Sequence, residues 1–322
     1  MRLRAWIVCV PVAADEIDQT GSTDHIYYRR DPITKRKALR WPNDALAAVA
    51  VVVSAEYYEM RPPPGAFIPP NVPGGFGRGP YPDFRNYSVR AYGNRVGIFR
   101  IFEALDRYGL RATVALDALT VVHCPQLLPH IARRGFEVVG HGQSVTRTIS
   151  SRMSMTEERE YIRSTLATIE NATGIMPSGW HGPEYGESAQ TPAILAELGL
   201  RYVLDWPNDE QPVAMTTPNG SIVSVPMLVD FDDVYALFHR KITEARWQQA
   251  IQEGVEQIVM DSTQSGRLLV INLHPWLTGH SSRIGYVEAF LEFLSQHDRL
   301  WLTTTGDIAN WFQTQSASEA TG

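Results

Sequence analysis

Three residues that can move a proton stand where an apolar run gives way to a polar turn. Glu56 follows VVVSA, His141 follows FEVVG and His274 follows LLVINL. A carboxylate with apolar backing has a raised pKa and can serve as base or acid near neutral pH. Taken alone, Glu56 can equally be a solvated loop carboxylate. Pro275 biases His274 towards extended backbone, and a His held so among aromatics is a fair general acid or base. Asp205, at the end of RYVL, is placed to orient a partner His. The candidate catalytic set is therefore Glu56, His141, His274 and Asp205.

Around that set stand candidate substrate contacts. Tyr57 follows the base. Trp180 and His181 lie in the Gly/Pro loop GWHGPEYGES, one as an apolar wall, the other as a contact or a solvated side chain. Trp206 and Trp276 follow Asp205 and Pro275. Arg283 starts the helix after the His274 loop and can clamp a carboxylate or carbonyl, or sit on the surface. A metal site built on His141 would want a second His one helical turn on; Val145 stands there and has no donor atom. No metal is expected. The chain has no G-x-S-x-G, no P-loop, and no G-x-G-x-x-G that opens a helix after a strand. GGFGRG at 74–79 is not followed directly by a helix.

The elements that must position these groups alternate. Strands are predicted at 45–54, 112–116, 136–140, 201–204, 222–226, 268–273 and 300–304. Helices are predicted from Asn94 to near Gly109, at 125–134, 155–173, 191–198, 243–262 and 283–297, and from Gly306. Ser154 and Glu157 form a capping box for the third helix. Residues 60–92 hold too much Pro and Gly for a helix or central strand. They are predicted to be a lid whose aromatics, with Tyr57 and Tyr58, cover the pocket: Phe67, Phe76, Tyr81 and Phe84. The alternation argues a parallel sheet, most simply a (β/α) barrel with its chemistry at the C-terminal rim. One barrel domain is expected over 41–322, after an N-terminal arm at 1–40.

The chain has 322 residues, 44% hydrophobic and 20% charged, which excludes a disordered protein. A net charge of -6 offers nothing to a phosphate backbone, so nucleic acid is not an expected partner. Two Cys cannot staple a scaffold. Residues 1–14 mimic a signal peptide, but the short apolar run with Pro11 reads better as a strand or arm. No stretch approaches the ~20 apolar residues of a membrane helix. A cytoplasmic protein without a membrane partner is the expectation.

The segments RWPN…VVVSAEYYE, YGNRVGIFR, GFEVVGHG, GWHGPE…TPAILAELGLRYVLDWPNDEQP, LHPWLTGHSSRI and LTTTGDIANWF resemble the polysaccharide deacetylase (NodB-homology) superfamily over residues 40–312. DWPND with LHPWLTGHSSRI is most similar to the branch that contains allantoinases of this type and cyclic imide hydrolases. The resemblance implies a distorted (β/α) barrel and a homo-oligomer. It also implies an Asp-Asp pair after the first strand and two His four apart, with the second Asp and both His holding a metal. Those positions fall on Glu56 as base, Tyr57 for the metal Asp, His141, and Val145 for the second His. Two of the three ligands are gone while a proton-handling set remains. The late catalytic His falls on His274, and the Asp of the Asp-Trp motif on Asp205.

The leading expectation is a metal-independent hydrolase of C–N bonds in a small cyclic amide, imide or ureide. Glu56 is its general base, and His141 and His274 its carbonyl polariser and general acid. A metal-dependent N-deacetylase with an altered ligand set, using an ion such as Zn, is the second reading. A catalytically inactive barrel that binds a ligand is the third.

Overall fold

The structure, a computed structural model, describes residues 25–67 and 80–320. The 1–14 segment and the middle of the 60–92 lid, with Phe76, lie outside the described residues. Strand β1 (Ala47–Ala55) is buried along its whole length. Ala47, Val49, Val51 and Val53 pack outward against helices, while Ala48, Ala50 and Val52 point into the curled sheet. A strand covered on both faces needs such an unbroken apolar run.

Six further strands run parallel to β1 or to its neighbours: β2 (Thr113–Leu116), β3 (Glu137–Gly140), β4 (Gly179–Trp180), β5 (Tyr202–Val203), β8 (Arg267–Leu273) and β9 (Leu300–Thr303). Strand β8 borders one edge of β1. On the other edge, β9 pairs its first half and β2 its second. The path continues through β3, β4 and β5 to β7 (Gly220–Ser224), which is parallel to β5. It ends in β6 (Val213–Thr217), antiparallel to β7. This hairpin was not predicted, although Pro218-Asn219-Gly220 is a turn signal. The curl stops short of full closure. Among the described residues, one parallel bridge, Asp232 to Asn272, links β8 to the chain beyond the hairpin. The fold is the expected distorted (β/α) barrel, left partly open.

Nine α-helices appear among the described residues: α1 (Phe84–Tyr92), α2 (Ile98–Arg107), α3 (Ala118–His123), α4 (Leu128–Ala132), α5 (Met155–Thr173), α6 (Thr191–Glu197), α7 (Glu244–Asp261), α8 (Ile284–Gln296) and α9 (Thr305–Ala320). Helix α1 corrects the expected lid. Its Asp83 N-cap accepts a hydrogen bond from the Asn86 N–H, so the loop ends before residue 84. Helices α2, α7 and α8 bury Ile98, Phe102, Trp247, Ile251, Phe290 and Leu294 against the outward face of β1 and β8. Their three-to-four-residue spacing makes one apolar stripe each.

The predicted cap of α5 is present: the Ser154 side chain accepts from the Glu157 N–H, and Glu157 accepts from the Ser154 N–H. Ser154→Ala is expected to cost about 1 kcal/mol. It would be read as a lower urea midpoint at unchanged slope; an unmoved midpoint would show that the box adds nothing.

Candidate active site

Strand register places the chemistry. Ala55 pairs Leu116, Leu116 pairs Gly140, Gly140 pairs Trp180 and Trp180 pairs Val203. One residue further along each strand stand Glu56, Asp117, His141 and His181. On the other edge Val53 pairs Leu273, so His274 comes level with Ser54. Side chains alternate, so Glu56 follows Ala48, Ala50, Val52 and Ser54 into the mouth of the barrel, and His274 follows Leu268, Val270 and Asn272. Asp117 is diverted: it caps α3 and accepts the Tyr57 N–H at 2.5 Å.

All three sequence-predicted proton carriers meet. Glu56 Oε1 lies 3.3 Å from His141 Nε2 and 3.6 Å from His274 Nε2. His141 Nδ1 donates to the His181 carbonyl at 2.6 Å, which turns Nε2 towards Glu56. His274 Nδ1 donates to Asp233 Oδ1 at 2.6 Å, with the same result. Asp233 Oδ2 accepts the His274 N–H and the Thr278 hydroxyl. The helical turn Gly93–Gly97, which joins α1 to α2, is anchored too. Asn94 Nδ2 donates to the Glu56 carbonyl at 2.8 Å. A Cβ at Gly97 would fall 2.0 Å from the Pro275 carbonyl oxygen, so only glycine lets that passage cross the His274 loop.

The electrostatics correct one expectation. Burial pushes the Glu56 carboxyl up, as the sequence suggested. The His274 charge, the His141 hydrogen bond and Arg90 outweigh it and bring Glu56 down to about 2. Burial lowers His274, but Glu56, Asp233 and Asp232 carry it to about 10. Near neutrality the pair is carboxylate and imidazolium.

Arg90, Asp232, Asp233, Asn272 and Glu184 were not singled out from the sequence. Arg90 is 2% exposed and lies between the rings of Tyr58 (4.7 Å) and Trp276 (4.8 Å). Its Nε and Nη1 have no hydrogen-bond partner among the described residues. Asp232 accepts from the Tyr185 hydroxyl, from Asn272 Nδ2 and from the Val234 and Tyr235 N–H groups.

Other expected residues stand elsewhere. Asp205 does orient a His: its Oδ1 takes His181 Nδ1 at 2.7 Å, and both its oxygens accept the Gly182 N–H. It therefore sits behind His181, whose ring stacks on His141 at 4.6 Å, and not beside Glu56. Trp180 is fully buried in an outer core cluster, because alternation turns it away from the face that His181 uses. Trp206 packs on His25, Tyr27 and Tyr28 and donates to Glu187. Arg283 pairs with Glu244 of α7 at 2.8 Å. These three are not pocket contacts. Trp276 and His181 border a cleft with Glu56 and His274. Tyr57 borders an outer hollow and stacks on His123. Among the lid aromatics, Phe84 is 64% exposed and Phe67 packs on Arg152, so neither covers Glu56.

The space has two parts that share Glu56. The inner cleft measures about 20 Å³, room for roughly one water. The outer hollow measures about 660 Å³ and is bordered by Tyr57, Tyr58, Tyr87 and Tyr92. Two larger hollows, about 970 and 1310 Å³, lie beside the Arg36–Asp209 pair and beside Arg61 and Arg147. Neither reaches the proton-handling groups.

The donor set does not suit the metal that the resemblance suggested. Tyr57 and Val145 stand at two ligand positions; the first stacks on His123, and the second is buried and has no donor atom. Among the described residues, one His/Asp/Glu group is close enough to share an ion: Asp232, Asp233 and His274. Each of its inward oxygens, and His274 Nδ1, already holds a hydrogen bond. The group is built to hold and charge an imidazole.

Residues 92–203 match the family model for polysaccharide deacetylase. No curated protein matches the chain. A probable polysaccharide deacetylase from Pseudomonas aeruginosa PAO1 is 22% identical, with a TM-score of 0.78 over 89% of this chain and 98% of that one. PuuE allantoinase is 21% identical, with a TM-score of 0.77 over 91% of this chain and 97% of its own. The sequence match covers residues 92–203, and the structural likeness shows that the chain has the fold of these proteins. No helix among the described residues is long and apolar enough to cross a membrane.

Proposed function

From the match of residues 92–203 to polysaccharide deacetylases and the shared fold, we propose that the chain is a hydrolase that opens a C–N bond in a small cyclic amide, imide or ureide without a metal ion. One observation carries this reading: the Glu56 carboxyl is held between two imidazole Nε2 atoms at 3.3 and 3.6 Å. Hydrolysis of an amide by water needs a base for the water and a donor for the oxyanion. Glu56 is the base, and His141 shares the proton it takes. His274, charged by its carboxylate neighbours, donates to the developing oxyanion.

A carboxylate with a pKa of about 2 is a weak base at rest. It strengthens as negative charge grows on the substrate oxygen and draws on the same His274 charge. A reactive ring lowers what the base must supply. The hollow of about 660 Å³ beside four tyrosines suits the body of one small molecule whose reacting bond enters the cleft past Glu56, which borders both spaces; a polymer needs an open groove. An allantoinase among the proteins of the same fold supports a cyclic ureide as one substrate class.

The test is a hydrolysis screen over hydantoins, succinimides, allantoin, lactams and N-acetyl sugars, run before and after prolonged chelation. Ring opening at a rate that chelation leaves unchanged is expected. Loss on chelation with recovery on Zn, Mn or Co would overturn metal independence and turn attention to Asp232, Asp233 and His274.

A further inference from the structure

The cleft holds a second carboxyl group that the reading above leaves idle. Glu184 borders the same space as Glu56, His274 and Trp276. No hydrogen bond or ion pair ties its carboxyl to another described residue. Its backbone is left-handed, with φ 58°, and so is that of Tyr185, with φ 55°. Residues with a Cβ adopt that conformation rarely, at about 1 kcal/mol or more each.

The surrounding turn enforces it. The Tyr185 N–H donates to the Gly182 carbonyl and the Gly186 N–H to the Pro183 carbonyl, both at 3.0 Å. The Gly182 N–H is fixed on Asp205, and the Tyr185 hydroxyl on Asp232. A Cβ at Gly182 would fall 2.5 Å from the Gly186 carbonyl oxygen. This strained turn delivers one unpartnered carboxyl into the cleft.

We propose that Glu184 is the general acid of the reaction, the carboxylic acid whose proton goes to the departing nitrogen. The proposal rests on the ring-opening reading and names the donor that it lacks. Burial and the negative charge of Glu56 push Glu184 up to about 8, against Arg90 and His274, so it is protonated at neutral pH. The groups that face it are Glu56 at the end of β1, Arg90 on α1, His274 after β8, Asp232, and Tyr235 three residues on. His274 is a poorer donor of a whole proton, because Glu56 and Asp233 hold that proton on it.

The step balances. Water gives a proton to Glu56 as its oxygen bonds the carbonyl carbon, and the C=O electron pair moves onto oxygen beside His274. The pair returns, the C–N bond breaks, and nitrogen takes the Glu184 proton. A carboxylic acid and a free N–H result. Glu56 then passes its proton to Glu184, directly or through water.

The experiment compares Glu184→Gln, and Glu184→Asn, which tolerates a left-handed backbone, with wild type over rings of graded leaving nitrogen. Turnover is expected to fall about 100-fold or more on lactams, which expel a basic amine, and less than about 10-fold on imides, whose nitrogen leaves as an amide. The decline of wild-type kcat as pH rises through about 8 should vanish in both variants. The wild-type-minus-variant infrared difference spectrum at neutral pH should show the loss of one protonated carboxyl, against the others that burial keeps protonated, such as Asp205. Equal losses on every ring, an unmoved pH limb, or no such difference would overturn the role of Glu184 alone. A wild-type chain that opens no ring would overturn the reading of the function, and the role of Glu184 with it.

Discussion

Glu56→Gln is expected to lower turnover about 10³-fold while the chain stays folded, because the amide keeps the shape of the side chain and cannot take a proton from water. It should also change stability in a pH-dependent way. The folded-state pKa of Glu56 lies at about 2, below its ordinary value of 4.5. A depressed carboxylate contributes stability that is fully present above about 4.5 and is lost as pH falls towards 2. Gln mimics the protonated form, so the variant should be less stable than wild type near neutrality by an amount on the order of 3 kcal/mol. That gap should close between pH 4.5 and 2, as followed by urea unfolding at several pH values. Turnover within tenfold of wild type, in a variant with an intact near-ultraviolet spectrum, would remove Glu56 as the base.

The residues whose placement is legible in the sequence and those whose placement is not divide along a physical line. Glu56, His141 and His274 each end an apolar run, and a run buried on both faces announces itself without its neighbours. Strands β4 and β5 have two residues each, too few for any period to show. In sequence Trp180 therefore looks like a loop side chain facing the pocket, whereas the pleat turns it into the outer core. Asp233 lies 41 residues before the His274 it charges, in a segment with no regular period, and no local spacing joins the two. Arg90 sits in a helix that the Pro and Gly before it hid. The direction of the Glu56 shift was missed for the same reason. Apolar backing is visible in the strand itself, but the imidazoles and the guanidinium that outweigh it come from other elements.

Two imidazoles and one guanidinium around a single buried carboxylate make an unequal distribution of charge, and Asp233 and Asp232 restore the balance. Desolvation alone would leave His274 neutral; with those neighbours and Glu56 it is a cation up to a pH of about 10. The cluster works as a unit, in which each charged group fixes the protonation of the next. A substitution one step from the reacting atoms should therefore act through pH as well as through geometry.

Asp233→Asn tests that coupling directly. The Asn oxygen can still accept from His274 Nδ1, so the ring keeps its orientation. The negative charge is gone, and one amide N–H now faces the His274 N–H or the Thr278 hydroxyl that Asp233 Oδ2 accepted. His274 has a raised pKa, so the stability that its proton contributes is complete below about 6.5 and is lost as pH rises towards 10, while activity that needs the proton falls as pH passes through about 10. Without Asp233 the alkaline limit should move towards acid by about one to two pH units, with kcat at neutrality down ~10²-fold. The shift is to be read in a Glu184→Gln background, which lacks the limb near pH 8 that would overlap it in wild type. A residue that only supported the loop would lower kcat equally at every pH and leave the limit in place. That result would take from Asp233 its part in holding the proton on His274, and from His274 its part as the charged partner of the oxyanion.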